Sequence, residues 1–253
     1  MDLNDLGSNW DQLGELDPFW AVMSDRERRG NKWDVEEFFE TGRQEIAELL
    51  DYLAGLGIEI GRARALDFGC GPGRLVQALA DHFDTVTGID IASSMLELAA
   101  RLNKHGERCR YLLNTTTDLS VVGEERFDLL YTHLVLQHME PVYARGYIRE
   151  LVRLASPDGV VVFQVPARSP KQRIKELVPN GVLSRYRRIK SGGGPSIQMN
   201  GLDPSDVVRT VRSAGGEVVH QQRWRRDSNR YRNASDLGYR YFVRPQGTDR
   251  SQG

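Results

Sequence analysis

An α/β fold around a largely parallel sheet is predicted by three features of the chain. From residue 63 onward, apolar runs that read as strands alternate with runs of helical spacing. That order produces βαβ units and parallel pairing. The first run, Ala65-Leu66-Asp67-Phe68, breaks into glycines at alternate positions, Gly69, Gly71 and Gly73, before Leu75-Val76-Gln77-Ala78-Leu79 resumes as a helix. The second, Asp84-Thr85-Val86-Thr87-Gly88-Ile89-Asp90, ends in a carboxylate.

Ahead of the sheet, Asp34-Val35-Glu36-Glu37 has the form of a capping box, aspartate followed three residues on by glutamate. It opens a helix that runs to Leu56, with Gly57 ending it. The glycine turn at 69–73 comes next. Glycine admits positive φ and lets a ligand approach with no Cβ in the way. The helix start behind it offers unpaired N–H groups. After the second strand, Ser93 is the expected cap of a helix through Ala100. Arg110–Asn114, Arg126–His133 and Gly159–Pro166 read as the third, fourth and fifth strands. Asp203-Pro204 opens a further helix, with aspartate at the cap and proline in the first turn.

The turn separates two ligand classes. A dinucleotide-binding turn carries G-x-G-x-x-G, its third glycine permitting close helix–strand packing. Here the third glycine comes one position early, at Gly73, and Arg74 fills the reserved slot. Asp67 stands just before the turn, where a ligand amine would sit. Asp90 follows Gly73 by 17 positions (90 − 73), close to the spacing of about 20 at which an acid grips ribose hydroxyls. The run Asp67-Phe68-Gly69-Cys70-Gly71-Pro72-Gly73 resembles motif I of the class I S-adenosylmethionine-dependent methyltransferases. The resemblance extends over roughly residues 63–245. It implies a Rossmann-like, seven-stranded, mostly parallel sheet closed by an antiparallel hairpin, for which Glu217–Gln222 and Tyr239–Val243 are the candidates.

The expected organisation is a helical cap segment over 1–62, a methyltransferase domain over 63–245 with a basic insertion at about 168–202, and a flexible tail over 246–253. The resemblance implies S-adenosylmethionine as cofactor. Candidate cofactor contacts are Asp67, Gly69, Gly71, Gly73, Asp90, Met95 and His133. Relatives place Gly-Asp-x-x-x-Leu after the third strand. Here the segment is Asn114-Thr115-Thr116-Thr117-Asp118-Leu119, so adenine recognition is expected from Asp118 or from backbone groups near Thr116 and Thr117. In the cap segment, Arg43 is a candidate partner for the methionyl carboxylate, and Phe38-Phe39 for the sulfonium through cation–π attraction.

A hydroxyl acceptor needs a base, and histidine titrates near neutrality. His138, in Leu136-Gln137-His138-Met139, matches the histidine that ends a hydrophobic-Gln/His-His run in related small-molecule O-methyltransferases. His133 is the alternative base or a cofactor-side residue. His82, His105 and His220 read as surface residues. No carboxylate cluster suggests a metal.

Composition sets further bounds. A chain of 253 residues with net charge −1 shows no bulk attraction to nucleic acid or membrane. Cys70 and Cys109 lack metal-ligand spacing and read as buried thiols of a cytoplasmic protein. The N-terminus has no signal-peptide pattern. Charge is uneven: residues 1–40 hold eleven acids against four bases, and 168–190 hold eight bases against Glu176. The basic block reads as a solvated loop, as a lid over the acceptor, or as a partner for the acidic N-terminus within a monomer or a homodimer. The leading functional reading is O-methylation of a small-molecule acceptor, anionic or polyhydroxylated, with a sugar or saccharide-bearing metabolite as first expectation. The alternatives are an RNA or protein methyltransferase that uses 168–190, a non-catalytic cofactor-binding protein and a nicotinamide oxidoreductase.

Overall fold

Seven strands, β1 (Arg64–Phe68), β2 (Thr85–Asp90), β3 (Cys109–Leu113), β4 (Phe127–Thr132), β5 (Ala155–Pro166), β6 (Gly216–Arg225) and β7 (Leu237–Pro245), pair into one sheet. Their spatial order is β3-β2-β1-β4-β5-β7-β6. The computed structural model describes residues 2–169, 172, 197, 199–225 and 237–246. The first five strands are parallel, and β7 runs antiparallel to both β5 and β6. Strand order reverses between β1 and β4, which opens a crevice at their carboxyl ends. The expected sheet and terminal hairpin are therefore present.

Helices cover both faces, which is why the central strands are apolar throughout rather than alternating. They are α1 (Leu3–Leu16), α2 (Pro18–Val22), α3 (Val35–Gly55), α4 (Arg74–Ala80), α5 (Ser93–Leu102), α6 (Pro141–Leu154) and α7 (Pro204–Ser213). One face packs Leu66, Leu130, Val161 and Phe163 against Ile148 and Leu151 of α6 and Val207 and Val211 of α7. The other packs Ala65, Leu129, Val160 and Val162 against Ile46, Leu49 and Leu53 of α3 and Leu79 of α4. Successive strand residues thus serve opposite cores, as the pleat requires.

Local signals are mostly realised. Asp34 caps α3 by accepting from the Glu37 N–H at 3.0 Å. Past the end of that helix, Gly57 takes φ +69°. Ser93, expected as a cap, is instead the first residue of α5, behind Ala92. Its hydroxyl turns to Asp11 of α1 at 3.1 Å, and Asp11 also accepts from the Ser94 N–H at 2.9 Å. Docking of α1 thus takes over the capping role. Asp203 holds the cap position of α7, but its carboxylate lies 3.3 Å from Arg168 Nη1 rather than on the helix backbone.

Most of the basic block 168–190 lies outside the described residues, and with it the lid and its pairing with the acidic N-terminus. The tail beyond Gln246 lies outside them too. Among the described residues, no helix is long and apolar enough to cross a membrane.

Candidate active site

A cavity opens at the strand-order reversal, walled by the loops after β1 to β4 and roofed by α1 and α2. The β1 loop supplies its floor. Gly69 and Gly71 take φ +78° and +51°, conformations that only glycine adopts without strain. A Cβ on Gly69 would fall 2.3 Å from Val135 Cγ2, and one on Gly71 would fall 3.0 Å from Val22 Cγ2 of α2. The turn is closed by the Gly69 and Cys70 N–H groups, which donate to Ile89 O at 2.7 and 3.0 Å.

Asp90 ends β2 beside this turn. Its Oδ2 accepts from the Gly71 N–H at 2.7 Å and its Oδ1 from the Ala92 N–H at 2.9 Å. Burial pushes its carboxyl up, against the pull of those two N–H groups. Each oxygen keeps further acceptor capacity, and Asp90 lines the cavity. A hydroxyl-bearing ligand would find paired acceptors there.

The loop after β4 adds His133, Leu134, Val135, His138 and Met139 to the wall. Leu134 sits at φ +61°. The left-handed region costs a branched residue about 1–2 kcal/mol, so the surrounding packing must hold the loop in place. His138 Nε2 is 3.1 Å from Gln137 Nε2. The Trp10 ring meets His138 edge-on, with centroids 5.2 Å apart. Trp10 belongs to α1, which adds Leu3 and Leu6 to the same wall. The lining from the β4 loop and α1 is therefore apolar apart from the two histidines.

His133 is held from behind by Glu45 of α3. Glu45 Oε1 lies 2.6 Å from His133 Nδ1 and accepts from Tyr131 Oη at 2.8 Å. Glu45 Oε2 pairs with Arg74 Nη2 at 2.7 Å. Burial pushes the Glu45 carboxyl up, but Arg74 and His133 outweigh burial and hold it well below the usual carboxylate range. Gly42 makes this possible. A Cβ there would fall 2.5 Å from Arg74 O, so α3 and α4 approach closely and Glu45, one turn on, reaches the guanidinium.

Asp67 lies behind the turn, 1% exposed. Burial raises its carboxyl to about 8, opposed by Arg74 and assisted by Glu45 and Asp90. Burial likewise pushes the Cys70 thiol well up, in keeping with a packing role.

Of the residues singled out from sequence, Gly69, Gly71, Asp90, Met95, His133 and His138 line one cavity. Gly73 shapes the turn from beneath, its φ +83° starting α4. Arg43 is elsewhere: it is exposed and paired with Glu40 at 2.7 Å, because its position on α3 faces solvent. The guanidinium at the cavity is that of Arg74. Phe38 and Phe39 are buried among Phe19 and Trp33. Thr116 and Thr117 are exposed, and Asp118 is taken up by Ser120 and Thr116. Asn114 lines the cavity in their place, with its Nδ2 donating to Thr116 O at 3.2 Å. His220 is not a plain surface residue; its Nε2 lies 2.9 Å from Tyr52 Oη. Glu45 and Asn114 carry no signal in sequence, and that of Arg74 is its place in the slot reserved for glycine; the α1 wall belongs to the segment expected as a cap. Among the described residues, no group of three or more His, Cys, Asp or Glu side chains could hold a metal ion.

Residues 66–163 match the family described as a methyltransferase domain. The chain is 29% identical to a ubiquinone biosynthesis O-methyltransferase of Bordetella avium (strain 197N), across 79% of this chain and 83% of the relative. It is 26% identical to the protein of the same name from Proteus mirabilis (strain HI4320), across 97% and 96%. Its fold is shared with magnesium protoporphyrin IX methyltransferase (ChlM) from Synechocystis PCC 6803, solved with bound SAH. There the TM-score is 0.61 at 18% identity, covering 96% of this chain and all of that one. It is shared as well with the CcbJ methyltransferase from Streptomyces caelestis, TM-score 0.61 at 17% identity over 94% and 98%.

Proposed function

We propose that the chain is a class I S-adenosylmethionine-dependent methyltransferase, in line with its methyltransferase-domain match and its fold, and that it methylates a hydroxyl oxygen of an apolar aromatic acceptor. The observation that carries the proposal is the mixed lining of one cavity, which holds the glycine turn and Asp90 together with His138, Leu3, Leu6, Trp10 and Met139. We assign the first set to a cofactor half and the second to an acceptor half.

The first half suits the cofactor. Gly69 and Gly71 leave the backbone bare where a Cβ would collide, and Asp90 offers paired acceptors to a ribose. Asn114 and Met95 stand where a base would lie between a polar edge and an apolar face. Arg74 and His133, with Asp67 behind, stand toward the amino-acid end. When bound, S-adenosylmethionine supplies a methyl group already activated on a positively charged sulfur.

The chain must then orient the acceptor, keep water out and receive a proton. The apolar wall does the first two by stacking a ring and excluding solvent; positioning of this kind can supply much of the rate. His138 receives the hydroxyl proton, a general-base role that an imidazole nitrogen can fill. His133 is the alternative base, its Nδ1 engaged by Glu45 at 2.6 Å. An aromatic acceptor replaces the saccharide expected from sequence, because a sugar would leave hydroxyls facing Leu3, Leu6 and Met139 without partners. The names of the relatives, which place them in ubiquinone biosynthesis as O-methyltransferases, support the same reading.

The test is transfer of a labelled methyl group to a panel that contains catechols, simple phenols, sugars and short RNAs, alongside calorimetry with S-adenosylhomocysteine. Labelled aryl ethers are expected. A methyl group appearing on sugars or RNA, with none on the hydroxyarenes, would overturn the acceptor assignment.

A further inference from the structure

We propose that Asn200, at the exit of the basic insertion, is a positioning residue that fixes His138. The inference rests on the assignment of His138 as the base.

Asn200 spans the His138 peptide from both sides. Its backbone N–H donates to Gln137 O at 2.7 Å, and its side-chain Nδ2 donates to Met139 O at 2.9 Å. A third bond, from the His138 N–H to Val135 O at 2.9 Å, closes the turn from within. The loop needs such support. It starts at Leu134, which is held at positive φ, and strained backbone persists only where its surroundings over-determine it. Asn200 is itself anchored. The neighbouring Gly201 exchanges two hydrogen bonds with the Gln172 side chain, at 2.9 and 3.2 Å. Leu202 donates to Pro166 O at 3.0 Å, and Arg168 donates to Leu202 O at 3.2 Å. The carboxyl end of β5 and the chain returning from the insertion thus form a latch, and Asn200 carries its hold to the loop of the base. Asn200 does not line the cavity, so its effect passes through His138.

A donor at this position is needed twice, once from the main chain and once from the side chain. Asparagine supplies the second with an amide that has two donor hydrogens. Asn200→Asp keeps the shape but removes that donor, and it sets a carboxylate against the Met139 carbonyl.

The experiment is a double-mutant cycle, read as kcat for methylation of catechol with labelled S-adenosylmethionine. Asn200→Ala is expected to lower kcat about tenfold, the scale of one lost structural hydrogen bond, with S-adenosylhomocysteine affinity unchanged. In a His138→Ala background the same substitution should change kcat by less than about twofold, since the group it positions is gone. Protection of the His138 amide against hydrogen exchange should fall about tenfold in both Asn200→Ala and Asn200→Asp, which reads the clamp without any acceptor. Wild-type kcat or unchanged His138 protection in these variants overturns the proposal. So does an undiminished tenfold loss in the His138→Ala background while His138→Ala alone is severely slowed; that result leaves the base assignment standing. If His138→Ala alone keeps near-normal turnover, the base assignment falls and takes the proposal with it.

Discussion

Glu45 Oε1 stands 2.6 Å from His133 Nδ1, joining a helix that precedes the sheet to the end of a central strand. The same carboxylate holds Arg74 and Tyr131, so one side chain organises the floor of the site. Removing one partner of a buried ion pair leaves the other charge uncompensated. Glu45→Ala is expected to cost about 3 kcal/mol of stability, read as a lowered midpoint in urea unfolding. It should also weaken S-adenosylhomocysteine binding, because Arg74 and His133 lose their orientation. The folded carboxyl lies below its ordinary value. Its stabilisation is therefore present above the unfolded value and lost as pH falls through the folded one. The wild-type protein should lose more stability on acidification than Glu45→Gln does.

Asp67 behaves in the opposite sense. Its folded carboxyl titrates at about 8 against an ordinary 3.8. Between these values the folded chain keeps a proton that the unfolded chain has released. Stability therefore falls as pH rises through that window and levels off above it. Asp67→Asn, which stays neutral, should flatten the dependence of unfolding free energy on pH between about 4 and 8. Parallel slopes for the two proteins would show that Asp67 is ionised in the folded state.

His138→Ala should leave S-adenosylhomocysteine affinity intact and cut turnover by about two to four decades, the usual scale for a lost general base. Calorimetry and steady-state kinetics on the same preparation separate these effects. Near-normal turnover would clear His138 and turn attention to His133.

Gly69→Ala should abolish cofactor uptake. The new methyl group would enter the van der Waals shell of Val135 at 2.3 Å, and φ +78° is unfavourable for alanine. Retained micromolar affinity for S-adenosylhomocysteine in calorimetry would show that the turn has another way to adjust.

Trp10→Ala should raise KM for an aromatic acceptor while sparing cofactor affinity, since the Trp10 ring meets His138 edge-on with centroids 5.2 Å apart. An aromatic contact of this kind is worth about 0.5–1.5 kcal/mol beyond its buried area, so a rise of about tenfold is expected. A loss of cofactor affinity with KM unchanged would place Trp10 on the wrong half of the cavity.

Some of this was legible in the chain itself. The glycine turn, the carboxylate of Asp90, the cap at Asp34 and the strand–helix alternation all depend on residues close together in sequence. Backbone conformation, capping and hydrophobic period are local properties, and they identified the cradle, the sheet and two histidines that do line the cavity. Other features came only with tertiary structure. Nothing near Glu45 in sequence announces that it will meet His133, and Arg43 looked the better ligand until α3 turned it to solvent. Thr116 and Thr117 held the expected positions after β3, yet the loop faces them outward and leaves Asn114 at the wall. Leu3, Leu6 and Trp10 reach the cavity because α1 docks on α5, and Asn200 reaches His138 because the insertion returns beside β5. Each of these contacts joins segments far apart in the chain, and only the packing of elements against one another decides which side chains share a space.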